Sequence, residues 1–196
     1  SGTAAELNTV NAGTTEAVTI TNITAIEAST IGAINTLRSS LASDFTGATN
    51  IANISVSGGT IDFTALSAEI DAFNLLNSPT AFALAATTTV TLDDQSEVTD
   101  FISDVTSDPA LLVVSGASQA VTVTNSGGGG VDITVAEANN ITANAGGTVT
   151  ATVSDGDLDT LAGLAARSNA ALTVTVTDTS GTAAELNTVN AGTTEA

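Results

Sequence analysis

The chain of 196 residues carries 21 acidic residues against two arginines, for a net charge of −19, and it lacks lysine, histidine, cysteine, methionine, tryptophan and tyrosine. Without Cys and His there are no zinc sites, disulfides, thiol nucleophiles or Ser–His catalysis, and without Lys no Schiff-base chemistry. The acidic balance makes nucleic acid and anionic membranes poor partners, and no apolar run approaches the roughly 20 residues of a membrane span.

The first elements carry helix signals. Thr3 and Glu6 are spaced as a capping box, in which the threonine oxygen and the glutamate carboxylate satisfy amides that the first helical turn leaves free; Gly13 is the stop. Val18-Thr-Ile-Thr-Asn22 alternates apolar and polar with period two and ends in a turn-forming residue, which reads as a half-buried strand. The period then becomes helical. Ile23, Ile26, Ile34, Leu37 and Leu41 fit one face, behind a second box at Thr24 and Glu27.

The alternation recurs at Ile54-Ser-Val-Ser-Gly58, with a second short strand expected at Ile61–Thr64 and a helix on Leu66, Ile70, Phe73 and Leu76 before Pro79. Val90-Thr-Leu-Asp-Asp94 precedes a helix on Val98, Phe101, Ile102 and Val105, stopped by Pro109. Val121-Thr-Val-Thr-Asn125 leads to a second short strand at Val131–Thr134. A box at Thr134 and Glu137 then opens a helix on Val135, Ala138 and Ile141, ended by Gly146–Gly147. Ala151-Thr-Val-Ser-Asp155 precedes Leu158, Leu161 and Leu164; Val174-Thr-Val-Thr-Asp178 precedes a box at Thr182 and Glu185 with Leu186 and Val189.

Residues Ser1–Ala17 and Ser180–Ala196 are the same seventeen letters, so the sequence restarts at Ser180. The six pentapeptides start at Val18, Ile54, Val90, Val121, Ala151 and Val174. The step from Ala151 to Val174, taken once more, reaches the place just past Ala196 where the next copy of Val18 would fall. About six strand–helix units therefore make up residues 1–179, one full tandem repeat, and residues 180–196 begin the next. Consecutive parallel strands joined by helices cross over right-handedly. Stacked without reversal they make an α/β repeat solenoid, with a continuous parallel β-sheet on one side and helices on the other. A doubly wound sheet is the competing fold. It needs helices on both faces and near-continuous apolar strands, and these strands alternate.

Stacking turns equivalent positions into columns. The outward positions of the pentapeptides are Ser or Thr at all but Asp93. That is a soluble β-rich surface, or a flat face for lateral self-association or for ordering water as in ice-binding solenoids. Asp155, Asp157 and Asp159 have the 1, 3, 5 spacing of an EF-hand calcium loop, but Thr160 and Ala166 stand where its Gly and Glu belong. A helix N-cap with acidic residues favouring the dipole is the plainer reading. Gly127–Gly130 with Val131, Asp132 and Ile133 nearly fits a calcium β-roll nonapeptide, with its apolar residue one place early. Bulk charge argues better than either motif. Residues 1–179 hold 19 acids and two Arg, a net −17. At about 4.8 Å per strand this lies along roughly 29 Å, a density near that of duplex DNA. Calcium or other divalent cations are expected as counterions.

Val174-Thr-Val-Thr-Asp178 with Thr182-Ala-Ala-Glu-Leu186, and Val153-Ser-Asp155 with Leu158 and Leu161, resemble the βα-repeat arrays of giant secreted surface proteins of cyanobacteria and some proteobacteria. The resemblance implies an extracellular, non-enzymatic, very long chain in sheaths, fibrils or surface layers. The expectation is a structural segment of an extracellular filament or surface fibre. It gives length, stiffness and protease resistance, and its partners are adjacent copies of the same repeat, covalently continuous or end to end. The stalk of a giant cell-surface adhesin is the alternative, and an ice-binding face a third. No catalytic or cofactor-binding residue is expected.

Overall fold

The computed structural model describes residues 1–41, 43–47, 51–76, 80–85, 87–107, 109–124 and 131–193, and the chain is α/β with parallel sheets. One five-stranded sheet is built, in order, from β1 (Gly2–Thr3), β3 (Ala25–Ser29), β5 (Asn53–Val56), β7 (Ala81–Leu84) and β9 (Leu112–Val113). A second runs β6 (Thr60–Asp62), β8 (Thr89–Leu92), β10 (Val121–Val123), β11 (Val149–Thr152) and β12 (Ala170–Thr173). A short pair joins β2 (Val18–Thr19) to β4 (Phe45–Thr46). The helices are α1 (Ala4–Ala12), α2 (Ile31–Leu41), α3 (Phe63–Leu76), α4 (Gln95–Thr106), α5 (Val135–Asn144), α6 (Leu158–Leu161) and α7 (Ala183–Gly192).

Parallel strands need a crossover between them. From β5 to β9 the chain meets that need twice in the same way, running from the first sheet through a strand of the second and a helix before returning to the first. The core follows from the alternation. Ile26, Ile54, Phe82 and Leu112 stand in register across the first sheet, Val90, Val121, Val149 and Ala170 across the second, and all are buried. All five phenylalanines are buried, and two pairs meet edge to face, Phe63 with Phe101 at 5.6 Å and Phe73 with Phe82 at 5.7 Å. Edge-on geometry sets the positive ring rim against a negative face.

Three expectations from the sequence are corrected. The strands divide between two large sheets rather than one. Val90 does pair with Val121, but Ile54 lies between Ile26 and Phe82, Val18 pairs with Phe45, and Val121 faces Val149 instead of Ala151. The last strand, β12, ends at Thr173, before the pentapeptide that begins at Val174. Alternation extends two residues back from Ala151 and Val174, to Val149 and Leu172, and a two-residue slip keeps the same face buried, so pattern alone leaves the register open there. Second, the box at Thr24 and Glu27 does not form. Residues 25–29 are strand, because Ile26 fills a buried position between β1 and β5, and α2 starts instead behind Thr30, whose hydroxyl accepts from the Ala33 amide at 3.3 Å. Third, Leu76 is exposed at the end of α3, and Leu164 is buried beyond the end of α6. The expected second strand at Ile61 appears as β6, and that at Val131–Thr134 as a single bridge from Ile133 to Val153. The boxes at Thr3, Thr134 and Thr182 all form. Pro79, Asn125 and Gly127–Gly130 lie outside the described residues.

Outward positions of the second sheet are polar except at Ala171. Asp62, Thr91, Thr122, Thr150 and Ala171 align in one column, and none is buried.

Candidate assembly interface

A helix leaves its first amides without partners in its own turns. In four places a side chain 20 to 33 residues further along the chain supplies one. Ser29 Oγ accepts from Ala4 N at 2.9 Å and Glu97 Oε1 from Thr64 N at 2.7 Å. Asp155 Oδ2 accepts from Val135 N at 2.7 Å and Asp178 Oδ2 from Leu158 N at 2.6 Å. These helices are thus capped in part by residues well beyond them in the sequence. Amide side chains stitch the other end. Asn169 donates to the carbonyls of Thr142 and Ala145, and Asn139 bonds both Gly163 O and Ala165 N. Arg38 and Asn35 of α2 reach the buried Glu69 of α3 at 2.8 and 2.6 Å.

These bridges account for two of the three aspartates with calcium-loop spacing. Asp155 caps α5, and Asp157 is the N-cap of α6, accepting from Thr160 N at 2.9 Å and Thr160 Oγ1 at 3.1 Å. Asp159 lies in the first turn of α6. No group of three His, Cys, Asp or Glu side chains is placed to hold a metal ion among the described residues. Asp155 and Asp178, adjacent in the expected turn column, each accept from a helix amide. Ser29, Glu97 and Asn139 carry no motif. The signal that could have found Ser29 and Glu97 is a polar side chain falling 25 to 33 residues beyond a helix start, and Asn139 carries no such signal.

The carboxylates sort by what they meet. The capping-box amide, then the hydroxyl, of Thr3 holds Glu6 below the usual carboxylate range, and Thr182 does the same for Glu185. The Asn11 amide lowers Asp44. The charge of Glu97 raises Asp93. Burial, followed by the nearby carboxylates of Asp71 and Asp100, pushes Asp104 of α4 up to about 7.

The two ends of the chain are the most informative surfaces, because α1 and α7 have the same sequence in different surroundings. In α1 the face carrying Ala4 and Leu7 is buried against α2, with Leu7 at 7% exposure and Val10 open at 52%. In α7, beside α6, the buried positions shift by a turn along the same sequence, with Val189 at 4% and Leu186 at 48%. The glycine that follows explains the fit. A Cβ at Gly192 would stand 2.5 Å from Leu164 Cβ, whereas at its twin Gly13 it would meet only ordinary contacts at 3.5 Å. The local backbone at Gly13 is right-handed helical and has no need of glycine; the contact made by its copy does. Ser1–Thr3 tells the same story: Gly2–Thr3 is a strand because β3 lies beside it, and the identical residues 181–182 are not.

No family model matches this chain, and comparisons with curated proteins and with solved structures find no match.

Proposed function

We propose that this chain is a structural repeat segment of an extracellular filament or surface fibre, an α/β solenoid in which each copy of the repeat hands the next the surface it received from the last. The observation that carries the reading is the pair of identical helices, one burying the leucine and the other the valine one turn further along. Between them the two copies bury both large apolar positions of the sequence, as an interior helix flanked on both sides would. A sequence that supported only one closed domain would have no use for Val10 and Gly13 at one end and Val189 and Gly192 at the other. Repeat architectures are sums of nearest-neighbour contacts of this kind.

Mechanics follow from the stitching. Units are joined by parallel strands, by helix packing and by side-chain caps that cross from one unit to the next, so pulling along the stack loads many hydrogen bonds at once. Only two Arg and no Lys give trypsin-like proteases little to cut. The acidic charge draws calcium and other divalent cations as screening counterions rather than into one defined site. Equal thermal stability in a chelator and in millimolar calcium would remove that part of the reading.

Cryo-electron microscopy of the native material tests the whole. Six units at about 4.8 Å each give an axial repeat of roughly 29 Å. Beads of separate domains at a much longer spacing would replace the stacked fibre with a stalk of globular units.

A further inference from the structure

We infer that the outer face of α1, centred on Val10 and Gly13, is a docking face for the α6 end of a second copy of this chain, and that α7 occupies that same socket from within. The inference rests on the repeat-array reading and adds how separate copies join. The occupied state is visible in the molecule itself. Residues 180–192 sit on Leu158 and Leu164, and residues 1–13 have the same sequence. Nothing distinguishes the two segments chemically, so the socket accepts either.

The faces do not compete. Helix α1 holds α2 through Ala4 and Leu7 and keeps Val10 free, so it can enter a second copy's socket without leaving its own chain. Its Ala4 amide stays capped by Ser29. Exchange trades one buried valine for its twin, Val10 for Val189, so apolar burial changes little and association must still offset the loss of translational freedom. The intramolecular copy therefore holds the socket. Release of α7 opens a head-to-tail contact between unlike surfaces, which extends without closing.

The 196-residue chain and four of its variants decide it, read by sedimentation velocity across a wide concentration range, with circular dichroism to follow folding. The parent runs as one species of 19.1 kDa. Val189→Asp frees the socket and leaves α1 untouched, and its mass rises with concentration to several times that of the parent. Adding Val10→Asp to Val189→Asp returns it to the monomer. Gly192→Ala, whose new methyl would strike Leu164, repeats the first effect, and Gly13→Ala added to it repeats the reversal; this pair decides should the charged variants fail to fold. Folded Val189→Asp and Gly192→Ala chains that stay monomeric, or association that Val10→Asp and Gly13→Ala do not reverse, would overturn the inference. Monomeric variants, found alongside native fibres that show the axial repeat expected of the stacked array, would overturn docking between separate copies and leave the array itself standing.

Discussion

Helices α1 and α7 are one sequence folded twice, and they differ in which half of it is buried. Both open with the same capping box, so the start of the helix is a local matter. The buried face is not. It is Ala4 and Leu7 where the neighbour is α2, and Val189 and Gly192 where the neighbour is α6. Neither helix is strongly amphipathic by itself, because alanines on the remaining sides share the cylinder with the leucine and valine.

The largest expected break in that symmetry comes from the leucines. Leu7→Ala opens a cavity between α1 and α2 and costs about 2–4 kcal/mol, while Leu186→Ala costs less than about 1 kcal/mol because its side chain is already half in water. Urea denaturation of the two variants measures both, and equal losses would contradict the burial difference.

Helix α4 shows the interior case, packed against both α3 and α5. Its Asp104 is 8% exposed and is pushed up to about 7, first by burial and then by Asp71 and Asp100. A carboxyl with a raised folded-state value favours the fold when protonated. Its contribution is complete below the unfolded value and is lost as pH rises through about 7. Asp104→Asn is therefore expected to stabilise the chain at pH 8 by about 1–2 kcal/mol, less than the whole shift implies because water still reaches the group, and to do little at pH 4. Thermal melts at the two pH values test the sign.

A smaller effect separates the caps. Ser29→Ala leaves the buried Ala4 amide without its acceptor and should cost about 1–2 kcal/mol. The twin amide at Ala183 has no following strand among the described residues to cap it, so α7 is unmoved by that change. The smallest contrast is at the boxes. Thr3→Ala and Thr182→Ala remove the same local bonds, and each should speed exchange of its own first-turn amides by about fivefold. Hydrogen exchange read segment by segment would expose any unequal response.

These cases mark what can be read along the chain. The boxes at Thr3, Thr134 and Thr182 are short-range patterns and were legible. So were the apolar faces of α4 and α5, and the strands at Val90 and Val121. Thr24–Glu27 has the same local signature and failed, because β1 and β5 offered Ile26 a better-buried place as strand than a helix could. The aspartates at 155 and 157 read equally as calcium ligands or caps. Their engagement became visible only once Val135 N, 20 residues away, stood beside Asp155.

By itself the amino-acid sequence determined which chemistries are absent, the alternation of strand and helix, three helix starts, and the restart at Ser180. All of these depend on residue type, short spacing or identity. Tertiary structure alone decided which strands share a sheet, the two-residue offset at Val149, the strand at Ala25–Ser29, and which side of SGTAAELNTVNAGTTEA is inside. Period-two strands slip by two at no cost to burial, and a helix with apolar residues all round carries no preference of its own. In both cases the neighbour makes the choice.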